Sequence, residues 1–277
     1  MGFVREIKYY CGKEYFECDL FEMADMRQRG KKFRAQKINE SSDKQKKQNK
    51  KNALKKFNRK VHTNFTRRDL YMTFTFDREH MPADKKEAKK EFHNFIKRVN
   101  RRRKKRGMQS VKYMGSMEEK TRQDGSHSYH FHFIISGGIS REEMEDIWGK
   151  GLCNASRLRM DDKELIIRLC QYIMKESANK KKNENTYICS RNLKDPIVKK
   201  NDYRITHRQL ENLSRQTESS EVWETMYPGY EFLEARAGYS DEAGWHVMVR
   251  MKRRENSGIS RKKKAQASDR EETERIE

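Results

Sequence analysis

"SHSYHFHFIISGG", residues 126–138, sets two histidines one residue apart inside a run that otherwise has the makings of a buried strand. In an extended chain, successive side chains point to opposite faces. Tyr129, Phe131, Phe133 and Ile135 therefore share one face, and His130, His132 and Ile134 share the other. Two residues of strand rise separate the imidazoles by about 6–7 Å along the chain, so both can reach one ion. Histidines at this spacing also occur as plain polar residues on a solvated sheet face, and the pair needs support from elsewhere in the chain.

Working upstream, "VKYMGSMEE" (111–119) is a second strand-like run, joined to the first by "KTRQDGSH" with a turn signal at Asp124-Gly125. Pairing the two as an antiparallel hairpin brings one of Glu118 or Glu119 beside the histidines, and alternation lets only one of them face that way. Glu118 is the candidate, with Glu119 as its substitute. Two neutral imidazoles and a carboxylate make a facial ligand set with positions left open for substrate. Further upstream, "DLYMTFTFD" (69–77) alternates Leu70, Met72, Phe74 and Phe76 with Tyr71, Thr73 and Thr75, the pattern of a strand with one buried face. Between them, "DKKEAKKEFHNFIKRVNRRRKKRG" (84–107) spaces Phe92, Phe95, Ile96 and Val99 as a helix with a strongly basic end before Gly107.

Downstream, Ser140 and Glu143 cap a short helix in "SREEMEDIWGKG", and "MDDKELIIRLCQYIMKES" (160–177) reads as a longer one. Leu165, Ile166, Leu169 and Ile173 form its apolar stripe, with Tyr172 about 60° to one side at 100° per residue. Such a tyrosine stands at the edge of a cleft, and Lys175, three residues on, is its helical neighbour and can stabilise a phenolate or a phosphate oxygen. A tyrosine bordering an apolar stripe is also a common packing residue. The ends of the chain add a hairpin about Gly12 and two strands about a turn in "WETMYPGYEFLEARAGYSDEAGWHVMVRMKR" (223–253).

Composition narrows the partner. The 277 residues carry 64 Lys+Arg against 42 Asp+Glu, a net charge of +22, with only 34% apolar residues. Much of such a chain must be solvated or lie against a polyanion, and nucleic acid is the expected one. Lys46, Lys47, Lys50 and Lys51 in one basic stretch, and Arg101, Arg102 and Arg103 in another, are the expected phosphate contacts, while exposed aromatics can stack unpaired bases. No run approaches the roughly 18 apolar residues of a membrane span. Five scattered cysteines without a C-x-x-C pair fit a reducing cytoplasm.

"YMTFTF" (71–76), "HFH" (130–132) and "YIMK" (172–175), in that order, resemble the three motifs of the HUH endonucleases, specifically the single-tyrosine rolling-circle replication initiators of plasmids, phages and integrative elements. Residues 46–76 and "YICSRNLKDP" (187–196) look like the flanks of that family's catalytic core, so the resemblance covers most of residues 1–250. It implies an α+β fold, a central antiparallel sheet with flanking helices of the ferredoxin-like kind. It also implies a divalent metal, Mg²⁺ or Mn²⁺, on His130, His132 and Glu118, and attack of Tyr172 on a DNA phosphate to leave a 5′-phosphotyrosine and a free 3′-OH, with Lys175 at the motif lysine position. The interval between Glu118 and His130 is longer than the family's.

The chain is accordingly expected to comprise an N-terminal β-hairpin (1–25), a basic helical segment (26–62), an HUH endonuclease domain (63–200), a C-terminal extension with a β-hairpin (201–256) and a disordered tail (257–277). The substrate is single-stranded or hairpin origin DNA. No G-x-x-x-x-G-K-[ST] loop occurs, so a host helicase is expected to unwind and a host polymerase to extend. The alternatives are an HUH transposase or relaxase, although relaxases place the histidine motif after the tyrosine, and a basic nucleic-acid-binding protein without catalysis.

Overall fold

The computed structural model describes residues 2–23, 42–121, 123, 125–159, 166–175 and 186–254. Alternation works as the sequence requires in β3 (Leu70–Thr75), which buries Leu70, Met72 and Phe74. It pairs on one side with β6 (Cys153–Arg157) and on the other with β5 (His127–Ile135). β5 in turn pairs with β4 (Tyr113–Thr121), and β7 (Ile188–Cys189) closes that edge. The order β6-β3-β5-β4-β7, antiparallel throughout, makes the histidine strand the central one. Gly115 on β4 is required there, because a Cβ would lie 2.1 Å from the His132 carbonyl oxygen.

Helix α2 (Lys85–Lys105), capped by Asp84 on Glu87 N–H, covers one face of this sheet together with α3 (Arg141–Trp148), capped by Ser140 on Glu143 N–H. Phe92, Phe95, Phe131, Phe133 and Trp148 form the core between them, with Phe92 stacked 4.1 Å from Phe133. The opposite face, which carries the histidines, is covered by α1 (Asp43–Asn64) and α4 (Ile167–Lys175) through Phe57, Val61, Ile134, Cys170 and Ile173. β5 is thus buried on both faces. In α4 the buried positions are 167, 170, 173 and 174, with 166 buried just before it, rotated from the expected stripe, and Leu165 lies outside the described residues.

The basic helix α1, whose lysines suit an exposed or DNA-contacting helix better than a core element, also contributes to the core. Its first half, including Lys46, Lys47, Lys50 and Lys51, is exposed, but Phe57, Asn58, Arg59, Val61 and His62 are buried. Apolar residues at 53, 54, 57 and 61 keep helical spacing among the lysines, and that sparse stripe docks the helix as a core element. Residues 24–41 and 257–277, the latter the expected tail, lie outside the described residues.

A second antiparallel sheet joins the two ends of the chain. β1 (Phe3–Cys11) and β2 (Tyr15–Met23) form the hairpin about Gly12, and β8 (Ile197–Asn201), β9 (Tyr230–Ser240) and β10 (Gly244–Arg253) complete the order β8-β1-β2-β10-β9. Its outer face packs Phe16, Val247 and Val249 against Leu210 of α5 (His207–Arg215) and Trp223 of α6 (Ser220–Met226). Its inner face is charged and meets α1. The buried Arg59 guanidinium bonds Glu17 at 2.5 Å and Asp19 at 2.6 Å, Lys55 bonds Asp19 at 2.8 Å, and the Tyr9 ring lies under Arg59 at 3.4 Å. Removing one partner from such a set strands a buried charge, at a cost of about 3–5 kcal/mol.

Beside this layer His62 stacks on Tyr15 with ring centroids 4.1 Å apart, its Nε2 without a hydrogen-bond partner. Burial, with repulsion from Arg250 added, pushes its pKa from 6.5 down to about 3. The folded value is the lower one, so the unfolded chain takes the proton first as pH falls. The contribution is full above 6.5 and is lost through the window down to about 3. The slope is at most about 1.4 kcal/mol per pH unit. Urea unfolding between pH about 6.5 and about 5 should therefore show a shallower loss of stability in His62→Gln than in the parent. Equal slopes would remove His62 from the acid response.

Among the described residues no helix is long and apolar enough to cross a membrane, and all five cysteines are free thiols.

Candidate active site

The register of the central sheet arranges its histidine face in rows. Tyr71, Ile134 and Met114 make the first, Thr73, His132 and Ser116 the second, and Thr75, His130 and Glu118 the third. Polarity rises along the strand from a row sealed under α1 and α4 toward a row at the mouth. His132 is only 5% exposed, so its imidazole must be accommodated by neighbours rather than by water.

Those neighbours are specific. Tyr71 Oη lies 3.0 Å from His132 Nδ1, and Glu118 Oε2 lies 3.7 Å from His132 Nε2. The second oxygen of Glu118 is 3.2 Å from Lys120 Nζ. A separation of 3.7 Å is too long for a hydrogen bond, yet within the ~4.2 Å that two donors can span around one ion at bonds of about 2.1 Å. Nδ1–H donation to the Tyr71 oxygen would present the bare Nε2 toward Glu118, the tautomer a ligating histidine requires. The donor chemistry at His132 and Glu118 therefore fits a divalent metal. His130 sits one pleat further along on the same face, opposite Glu118 in the ladder. Among the described residues no three His, Cys, Asp or Glu side chains have already converged on one point.

The choice between the two glutamates, open in the sequence, has a geometric answer. Glu119 belongs to the other face, where its carboxylate meets Tyr129 Oη at 3.4 Å and His127 Nδ1 at 3.5 Å.

Tyr172 lies on α4 with its side chain 47% exposed and its ring edge-on to His132, centroids 5.4 Å apart. Ser116, fully buried and opposite His132 in the ladder, donates to the carbonyl oxygen of Ile173 at 2.8 Å. That bond ties the residue next to Tyr172 to the strand carrying Glu118. Lys175 is exposed at the end of the helix. Tyr187, the other tyrosine near the motif, is packed edge-on against Phe57 at 5.3 Å, and burial raises its pKa.

Sequence reasoning missed Tyr71 and Ser116. Both sit inside quoted strand runs at positions facing the histidines, so strand register was the signal that could have found them. It also misassigned Arg103. That side chain is buried and donates to the carbonyls of Gln109 at 2.7 Å and Gly137 at 2.6 Å, where it fastens the end of α2. Helical periodicity explains this, since position 103 follows Val99 by four residues on the buried face. Arg101 and Arg102 are exposed and, with Arg98, Lys105 and Lys150, line a cavity of about 660 Å³ between α2 and α3. It lies on the side of the sheet away from the histidines.

Residues 69–180 match the family described as Replication-associated protein ORF2/G2P. The matched segment runs from β3 through α4 and so contains His130, His132, Glu118 and Tyr172. The match fits a rolling-circle replication initiator, and the HUH superfamily is consistent with it. No curated protein and no solved structure matches the chain.

Proposed function

We propose that this replication-associated chain is a rolling-circle initiator that nicks and rejoins single-stranded origin DNA with Tyr172 as nucleophile. The observation that carries the reading is the placement of an exposed phenol edge-on to His132, at the polar end of a face that also holds Glu118 and His130. The Tyr172 oxygen forms a bond to phosphorus while the bond from phosphorus to the 3′-oxygen breaks, and the phenol proton passes in net to that 3′-oxygen. Attack by a 3′-OH on the phosphotyrosine reverses the exchange and reseals the strand. His132 and Glu118, with His130, would hold Mg²⁺ or Mn²⁺, which when bound offsets charge on the non-bridging and leaving oxygens. Tyr71 fixes the His132 ring, Lys175 offers a cation to the phenolate, and Ser116 sets the distance between helix and strand.

The test is covalent attachment. A labelled single strand carrying the origin should remain on the denatured protein after incubation with Mg²⁺ and should release a 3′ end that a polymerase extends. A strand that binds but never becomes attached would leave only a basic DNA-binding protein.

Ser116→Ala separates positioning from binding. Losing the bond to Ile173 should lower the cleavage rate at saturating DNA about tenfold, equivalent to about 1.4 kcal/mol, with affinity for the strand unchanged. A parallel loss of affinity would make Ser116 merely structural.

A further inference from the structure

The face of α4 that carries Tyr172 continues beyond the residues already placed in the site. Arg168, Gln171, Tyr172 and Lys175 are all exposed. Arg168 lies three and four residues before Gln171 and Tyr172, and Lys175 lies four and three residues after them, so these pairs are helical neighbours on one side with about 5–6 Å between their Cβ atoms. Arg168 and Gln171 also form one wall of a cleft of about 380 Å³, and the opposite wall comes from the second sheet: Leu233, Glu234 and Arg236 of β9 and Arg250 of β10. The cleft thus joins the nucleophile's helix to a part of the chain outside the family match, which ends at residue 180.

Its charge is one-sided. Three guanidinium groups face one carboxylate, and the arginines differ in their duties. Arg250 is buried and bonded to Glu234, with Glu17 behind it at 3.7 Å, so it serves as fixed positive background. Arg236 is exposed at the rim and reaches the same Glu234 carboxylate at 2.9 Å. The residues that line the cleft bring three guanidinium groups to one carboxylate, and a phosphate at the rim would add a second anion to Arg236 at little desolvation cost. Gln171 and the apolar Leu233 beside them suit the sugar and base faces of an unpaired strand better than a small free anion.

We propose that this cleft is a subsite for the backbone of single-stranded DNA next to the nick, with Arg168 and Arg236 as its phosphate-binding residues, so that the second sheet completes the substrate channel of the matched domain. The inference rests on the proposed nicking activity for its biological meaning, but the binding itself is measured without cleavage.

The experiment uses the full chain with Tyr172→Phe, a fluorescein-labelled oligothymidylate of about 30 nucleotides and a series of salt concentrations. Replacing both Arg168 and Arg236 with glutamine should flatten the slope of log affinity against log salt by about 1.4, two single-strand contacts at about 0.7 each. Arg208→Gln, on α5 against the far face of the second sheet, should leave the slope unchanged. A slope unaffected by the double substitution, or reduced equally per charge by Arg208→Gln, would overturn the subsite. Adduct formation by the protein with Tyr172 intact is read separately. Its absence sinks the nicking reading, whereas its presence with an unaltered slope sinks the cleft alone.

Discussion

Tyr172→Phe is expected to yield no covalent DNA adduct above background while binding single-stranded DNA within about 0.5 kcal/mol of the parent, the range of substitutions that leave packing intact. The substitution deletes one oxygen. The ring that meets His132 edge-on remains, Ile173 stays bonded to Ser116, and the cations of the surface are untouched. Only the bond from Oη to phosphorus is lost, and the one thiol on that helix, Cys170, is fully buried among the described residues and cannot take its place. Tyr187→Phe is the counterpart and should retain the adduct, because that ring is packed against Phe57 and burial holds its phenol in the neutral form. An adduct that survives Tyr172→Phe and disappears with Tyr187→Phe would reverse the assignment. Denaturing gels of protein incubated with end-labelled strand decide it.

Three strands of the central sheet, β3, β4 and β5, were legible because their signals are local, whereas the short edge strands β6 and β7 were not read. Alternation in residues 70–76 and 129–135 fixed which side chains face α2, and the expected hairpin between residues 111–119 and 128–136 is the β4–β5 pair, with Asp124 of its turn signal outside the described residues. Ser140 and the Gly107 breaker marked helix ends for equally local reasons. The second sheet was not legible, although both its hairpins were, because joining them requires β2 to meet β10 across more than two hundred residues of sequence. β8, with Ile197 and Val198 exposed and lysines following, carries no alternation at all and is a strand only because β1 offers it an edge. The same distinction governs the site. The type and spacing of His130, His132 and Tyr172 are readable in one dimension. Whether Glu118 or Glu119 turns inward depends on hairpin register, and the orienting role of Tyr71 depends on which strand lies beside β5. Arg103 shows the converse error, since a run of like charge was read as a unit when one member in it falls on the buried side of the helix.

Chelation should abolish cleavage, Mg²⁺ or Mn²⁺ should restore it, and His132→Ala should cost on the order of a thousandfold in cleavage rate at saturating DNA, about 4 kcal/mol of transition-state stabilisation. The reasoning starts from burial. His132 is enclosed by Tyr71, Glu118, Ser116 and Tyr172, and its Nε2 faces a carboxylate oxygen at a distance suited to a shared ion rather than a hydrogen bond. Glu118→Gln keeps the size of that side chain but removes its negative charge, so it should weaken the metal dependence, raising the Mn²⁺ concentration needed for half-maximal cleavage by about 10- to 100-fold or more. Glu119→Gln should leave that concentration alone, because its carboxylate serves Tyr129 and His127 on the opposite face. Tyr71→Phe falls between them: it keeps the ring stacked on the histidine and removes only the oxygen at Nδ1, so a loss near tenfold in metal affinity with unchanged DNA binding is expected. Full activity in excess chelator would dismiss the metal. A strong effect of Glu119→Gln with none from Glu118→Gln would instead mean that the hairpin shifts by one residue when DNA is bound, since only a change of register can exchange the faces of two adjacent strand residues.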